Sequence, residues 1–318
     1  MQGEIFQEFI MSLTREQKKQ ISDFTNRQEF VEMGGLMTDL DGTVIQQKDG
    51  RYFMPEQVRE GLIDMYNTSC PVVINTMRFP LSVIKTFATD WYDMSKASVP
   101  LVSLNGSQIG YINKDSKARF TFEETDAFPL KKNEIDKFIS DVEEILSNDG
   151  NVLVFYYPRA WNKGEIIWVS DKEKVEESKD KYRSASHVYS GRLQTLHNHL
   201  LDEDICMIFL LLTKTDADVP YLQTNHKDFY SHQKVDKLYG AKKMISSLHR
   251  KIDHFIGAGD TPMDVFLKEV GQVVKVGNMD FNFQFNSPVL HLEHVPDIGE
   301  VFTEVAKYCR ESESELNL

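Results

Sequence analysis

Short apolar runs recur along the chain with amphipathic stretches between them. Leu36, Met37 and Leu40 mark the first run, followed by runs at 71–76 and 99–104, and past position 229 by runs at 255–258, 273–276 and 288–292. Between them Val58, Leu62 and Met65 recur at helical spacing behind Pro55, a residue suited to a first helical position, and predict a helix to about Asn67. Further helices are predicted over 81–91, 237–248, 263–270 and 301–308. Strand alternating with helix is the rhythm of a doubly wound parallel sheet, so the fold class is α/β with a Rossmann-like core. At Asn105 the rhythm changes to short strands at 109–112 and 119–122, then a helix at 135–146 and strands at 152–157, 166–169 and 205–212. The pattern therefore predicts a core built from 34–104 and 229–318, interrupted by an inserted α/β module at 105–228. Ahead of the core, residues 1–33 form an extension whose stretch 14–31 carries Ile21, Phe24 and Val31 at helical spacing, with Thr14 and Gln17 placed as a capping box. Asp49-Gly50 between strand-like flanks predicts a hairpin just after the first strand.

Composition narrows the function classes. The 318 residues, 41% hydrophobic and 27% charged, are ordinary for a soluble enzyme of one or two domains. A formal net charge of −13 argues against a general nucleic-acid surface, which depends on Lys and Arg to neutralise phosphates. The longest apolar run, at 205–212, is too short for a membrane span, and no basic and apolar leader opens the sequence. Cys70, Cys206 and Cys309 show no paired spacing for zinc or redox chemistry, so the expected setting is a reducing cytoplasm.

The densest chemistry lies at Asp39-Leu40-Asp41-Gly42-Thr43, where the first apolar run ends. Side chains alternate along an extended strand, so Asp39 and Asp41 leave its end on one side, while Gly42 permits a sharp turn. Two carboxylates so close repel each other, and a divalent cation relieves the repulsion; hard oxygen ligands favour Mg²⁺ over zinc or copper. Asp260 and Asp264 stand four apart after the apolar run 255–258, where Asp264 would reach the metal or orient its ligands. Thr76, at another predicted strand end, can donate a hydroxyl hydrogen bond to a phosphate oxygen. Arg78 beside it would grip an anionic leaving group or brace the inserted module.

Asp-Leu-Asp-Gly-Thr at 39–43, Thr76 after an apolar run, Lys237 opening a helical stretch and Asp260 with Asp264, in that order, resemble the haloacid dehalogenase-like hydrolase superfamily. The insertion between the second and third stations, and Leu104-Asn105-Gly106 at its start, resemble the type-IIB group of sugar-phosphate and related phosphatases, in which an α/β cap chooses the substrate. The resemblance implies Asp39 as nucleophile, forming an aspartyl-phosphate, and Mg²⁺ held by Asp39, the Asp41 carbonyl and Asp260. Asp41 would act as general acid and then general base. Thr76 and Lys237 would steady the transferring phosphoryl group, with Gly42, Arg78 and Asn105 contacting substrate. The sequence departs from the family pattern where Met77 replaces a common glycine and where Leu238 follows the lysine. Lys234, Lys242 and Lys243 compete for the lysine role, and Lys237 is preferred because Gly240, Ala241 and Met244 follow it at fitting positions.

The expected partner is a small phosphorylated metabolite, with neither nucleic acid nor membrane. The expected activity is a Mg²⁺-dependent phosphatase acting on a small phosphomonoester such as a sugar phosphate; a phosphomutase of the same architecture and an idle binding protein are the rivals. His197 and His199 could chelate a metal in principle, but no third ligand stands at fitting spacing, so they read as surface or packing histidines. Arg159, Arg183, Arg192 and His187 are further residues of the insertion that could read a substrate.

Overall fold

A computed structural model describes residues 13–316 apart from residues 69, 149 and 214–227, and gives the backbone alone for 311–316. The chain passes through α1 (Arg15–Thr25), α2 (Gln28–Met33), β1 (Gly35–Thr38), a hairpin of β2 (Gln46–Lys48) and β3 (Arg51–Phe53), α3 (Glu56–Tyr66) and β4 (Val72–Asn75). Next come α4 (Pro80–Val83) and α5 (Thr89–Ser95), joined by a π-helical turn, and the strands β5 (Val99–Ser103), β6 (Gln108–Lys114) and β7 (Phe120–Ala127). The middle of the chain holds α6 (Lys132–Ser147), β8 (Asn151–Pro158), β9 (Ile166–Val169), α7 (Val175–Lys181), β10 (His187–Ser190), α8 (Leu193–Asp202), β11 (Ile205–Thr213) and β12 (Phe229–Ser231). It closes with α9 (Lys237–Ser247), β13 (Phe255–Gly259), β14 (Gln272–Val276), β15 (Val289–Leu292) and α10 (Asp297–Leu316). Two compact units result: one takes the chain up to Ile74, Asp90–Ala97 and Ile245 onward; the other takes Asn75–Thr89 and Ser98–Met244.

In the first unit the strands run parallel in the order β15-β14-β13-β1-β4. The chain goes from β1 to β4 on one side and builds β13, β14 and β15 on the other, so the order reverses between β1 and β13. That reversal opens a crevice at the carboxyl ends of the two strands, where ligands bind in sheets of this kind. Leu36, Met37, Val73, Ile74, Ile256 and Val274 are buried, as expected of parallel strands covered on both faces. On one face α3 and α10 pack so closely that a Cβ on Gly61 would overlap the Gly299 carbonyl, and one on Gly299 would overlap the Gln57 carbonyl.

The N-terminal helical extension braces this unit. The Thr14 and Gln17 capping box forms, with Gln17 N donating to Thr14 Oγ1 at 3.2 Å and Thr14 N to Gln17 Oε1 at 2.8 Å. The single helix expected over 14–31 is two helices, because the chain turns at Asn26 and Arg27; Ile21 and Phe24 are buried, whereas Val31 lies outside the core. Lys18 pairs with Glu300 at 2.8 Å, and Gln17 donates to the His291 carbonyl on β15 at 3.0 Å. The helix thus engages a strand that ends the parallel row, a place proteins commonly cover.

In the second unit β5, β6 and β7 pair antiparallel in sequence order. The change of rhythm at Asn105 is therefore a switch to antiparallel pairing within one sheet. A separate sheet, in the order β10-β9-β8-β11-β12, takes its first strand in the chain only at Asn151. Both faces of β8 are buried, which is why 152–157 reads as an unbroken apolar run. Val152, Val154 and Tyr156 pack under α6 and α8 with Phe138, Val142, Leu196 and Leu200. Leu153, Phe155 and Tyr157 face the other way, with Phe79, Leu104 and Val169. In β11 a register shift between Ile205 and Met207 turns Cys206 and Met207 to the same side, as a β-bulge does. The helix expected over 263–270 is a short 3-10 turn, Val265–Lys268, since the Asp264 side chain binds main-chain amides that precede it and folds that stretch into a loop.

Candidate active site

β1 ends at Thr38, and Asp39 follows with its amide donating to the Ala258 carbonyl of β13 at 2.9 Å. Leu40 is fully buried, and its carbonyl accepts from the amides of both Val44 and Ile45 at 2.9 Å, curling the chain into a tight loop. That buried leucine splits the two aspartates: Asp39 is 5% exposed, and Asp41 is half-buried. Gly42 sits at φ +72°, and a Cβ there would overlap the Asp260 carboxylate. The glycine is thus required twice, for its left-handed backbone and for room beside the second strand's aspartate. Thr43, fully buried, donates from Oγ1 to Asp260 Oδ1 at 3.3 Å.

At the end of β13 the Asp264 carboxylate folds back on its own loop. Its Oδ2 accepts from the amides of Asp260 and Thr261, both at 3.0 Å, and Gly259 leaves room for it, since a Cβ there would lie 2.5 Å from that oxygen. Asp39, Asp260 and Asp264 each offer a carboxylate oxygen, all within 4.8 Å of one another. Hard oxygen donors gathered in this way fit a hard divalent cation, and the set contains no imidazole or thiolate that would favour a softer metal.

The other expected residues belong to the second unit. Thr76, 1% exposed, follows β4; its amide donates to the Val102 carbonyl at 2.9 Å, and its hydroxyl accepts from the Arg78 amide at 3.2 Å. Arg78 Nη1 donates to Ser82 Oγ at 2.8 Å. Lys237 opens α9 and is 1% exposed, whereas Lys234, Lys242 and Lys243 are exposed. Lysine is almost never buried without a partner or a task, so burial separates Lys237 from its competitors. The start of α9 is pinned twice: Asp236 Oδ1 accepts from the Tyr239 amide at 2.8 Å, and Asn75 Nδ2 donates to the Lys237 carbonyl at 3.0 Å. Asn75 was missed in the sequence, although an amide side chain closing an apolar strand was the signal. Asn105 adopts φ 57° between Leu104 at 50° and Gly106 at 88°. Such a left-handed run costs on the order of 1–3 kcal/mol per non-glycine residue and persists only where its surroundings impose it. Here the Leu104 amide donates to the Arg78 carbonyl at 3.2 Å, and a Cβ on Gly106 would overlap the Asp236 carbonyl.

Several polar residues of the insertion are engaged with one another. His197 Nε2 lies 2.8 Å from Asp136, and His199 Nδ1 lies 3.0 Å from the Tyr189 hydroxyl. The two histidines thus serve packing and pairing, as their spacing led us to expect. Arg159 bonds Glu124 through Nε at 2.9 Å and approaches Asp204 at 3.5 Å. Glu165 is 8% exposed and accepts from the Tyr157 hydroxyl at 2.7 Å; burial pushes its carboxyl above the ordinary value, against that hydrogen bond. A cleft of about 440 Å³ lined by Leu130, Asn133, Lys137, Tyr230 and Gln233 contains none of the expected catalytic residues.

Residues 36–284 match the family model for haloacid dehalogenase-like hydrolases. The chain belongs to this family. The match takes in the aspartate loop, Thr76, the inserted module, Lys237 and Asp264, and leaves out α1, α2, β15 and α10. Among solved structures, a phosphatase of the haloalkanoate enzyme superfamily from Bacteroides thetaiotaomicron is 14% identical, with a TM-score of 0.60 over 87% of this chain and 95% of that one. A putative haloacid dehalogenase/Cof-like hydrolase from Plasmodium vivax is 16% identical, with a TM-score of 0.60 over 93% of this chain and 99% of that one. A structure described as a subclass IIB sugar phosphatase is 13% identical, with a TM-score of 0.56 over 87% of this chain and 98% of that one. At these identities the structures establish a shared fold. No curated protein sequence matches the chain.

Proposed function

We propose that this hydrolase is a Mg²⁺-dependent phosphatase of the type-IIB group, acting on a small phosphomonoester of the sugar-phosphate class. The observation that carries the reading is the gathering of the Asp39, Asp260 and Asp264 oxygens within 4.8 Å at the ends of two neighbouring parallel strands. Membership in the hydrolase family supports it, and so does the fold shared with a subclass IIB sugar phosphatase.

In this reading Asp39, Asp260, Asp264 and the Asp41 carbonyl hold Mg²⁺, which when bound neutralises phosphoryl oxygens and lets an anionic nucleophile approach. The Asp39 carboxylate attacks phosphorus and becomes an aspartyl-phosphate, which water then cleaves. Asp41 protonates the departing alkoxide in the first half and accepts a proton from the attacking water in the second. Thr76 donates its hydroxyl to a phosphoryl oxygen. Lys237 supplies a fixed positive charge, for which a buried ammonium on the first turn of a pinned helix is well suited. Gly42 brings backbone close to the substrate, and Arg78 and Asn105 contact its phosphate or leaving group. The module inserted at 105–228 acts as the cap that chooses the substrate and excludes water. A screen of phosphorylated metabolites with Mg²⁺, scored by inorganic phosphate, tests the assignment. Release from at least one sugar phosphate without an activating bisphosphate is expected, and no release from any phosphoester would overturn it.

A further inference from the structure

Cys70 and Cys309 are 239 positions apart in the chain, yet their sulfurs lie 3.0 Å from each other. Cys70 stands just ahead of Pro71, whose carbonyl accepts from the Leu36 amide at 2.9 Å at the beginning of the parallel sheet. Cys309 lies on α10. Both side chains are half-buried, within reach of a small solute. Their meeting is fixed by packed elements. Thr303 and Arg310, on either side of Cys309, both reach Asp64 of α3, at 3.0 and 3.5 Å. On the other side the Cys70 amide donates to Thr68 Oγ1 at 3.2 Å, and Thr68 closes onto the Met65 carbonyl that ends α3. The third cysteine offers a contrast within the same chain. Cys206 is fully buried in β11, and burial pushes its thiol up to about 12, which keeps it protonated and inert near neutral pH.

We propose that Cys70 and Cys309 are a redox modification site, a dithiol that hydrogen peroxide converts to an intramolecular disulfide stapling α10 to the entry of β4. A disulfide bond is about 2.05 Å long, so closure asks for roughly 1 Å of sulfur travel. One thiolate attacks a peroxide oxygen; the O–O bond breaks, a sulfenic acid forms and water leaves. The second sulfur then attacks the sulfenic sulfur, the S–S bond forms, the S–O bond breaks and a second water departs. Two thiols lose two electrons and two protons, and one peroxide becomes two waters. The staple closes a loop over most of the chain and so constrains the unfolded state. Cys70 lies at the end of β4 opposite Thr76, on the order of 15–20 Å away at about 3.3 Å per strand residue, so the effect falls on stability. The proposal is thereby independent of the phosphatase reading.

The test treats the full-length protein with one equivalent of hydrogen peroxide. Remaining thiols are then alkylated with N-ethylmaleimide under denaturing conditions, and peptides are mapped by mass spectrometry without reduction. The expected result is one cross-link between the peptides carrying Cys70 and Cys309, with Cys206 alkylated. Thermal scans should show Tm higher by about 5 °C, reversed by dithiothreitol. The cross-link and the shift should vanish in Cys70→Ser and in Cys309→Ser and survive in Cys206→Ser. Alkylation of both Cys70 and Cys309 after peroxide, sulfinic acid at either, or a cross-link between molecules would overturn the proposal.

Discussion

At the ends of β1 and β13, Asp39, Asp260 and Asp264 are brought within 4.8 Å, and the donors that orient them include backbone amides and the Thr43 hydroxyl. In the second unit several acids meet the side chains of arginine, histidine or tyrosine: Glu124 with Arg159, Asp136 with His197, Glu134 with His232 and Glu165 with Tyr157. Carboxylate oxygens gathered as closely as those of the first set repel one another, and a hard divalent cation relieves that repulsion. Each acid of the second set has a side-chain partner of its own, so those pairs serve packing and register. The same residue types are therefore gathered in one region and paired off in the other.

Removing the cation should have the largest effect on this contrast. Exhaustive chelation is expected to abolish phosphoester turnover and added Mg²⁺ to restore it, while thermal unfolding of the inserted module stays unchanged; full activity in chelator would break the comparison. Next comes Asp41→Asn, which keeps the main-chain carbonyl but removes the proton carrier. A loss of about 10² to 10⁴ in kcat is expected, read from steady-state rates with a leaving group of high pKa. Gly42→Ala should follow. Its methyl meets the Asp260 carboxylate in a left-handed backbone, so weaker Mg²⁺ activation should accompany about 1–2 kcal/mol of lost stability by urea unfolding. Wild-type Mg²⁺ dependence in this variant would show that the close approach does not matter.

The smallest effect concerns Glu165. Its folded pKa lies above the ordinary 4.5, so the folded state binds the proton more tightly, and stability falls as pH rises from about 4.5 through the raised value. Glu165→Gln should flatten that part of the Tm profile and leave turnover unchanged. An identical pH profile in the variant would contradict the assignment.

The sequence was most informative where a local rule fixes geometry. Asp39, Gly42 and Asp260 were legible because a strand end and a left-handed turn tolerate few alternatives, and the parallel core followed from strand and helix periodicity. Less was legible where distant contacts decide. Spacing favoured Lys237 over Lys234 and Lys242, and burial separates it from them outright. The second role of Gly42, as room for Asp260, depends on a strand more than two hundred residues away. Residues 263–270 carry helical spacing, yet Asp264 uses its side chain on the loop amides and only a 3-10 turn remains. The antiparallel pairing of β6 with β5 was hidden because apolar alternation gives a strand's faces and not its neighbours.

The central claim is that Asp39 is the nucleophile. Rapid-quench mass spectrometry during turnover of a released phosphoester would look for one added phosphoryl group on the peptide that contains Asp39. The account predicts that mass in the wild type, confined to Asp39, and its absence together with lost turnover in Asp39→Asn. A phosphoryl group on another residue, or undiminished turnover in Asp39→Asn, would contradict it.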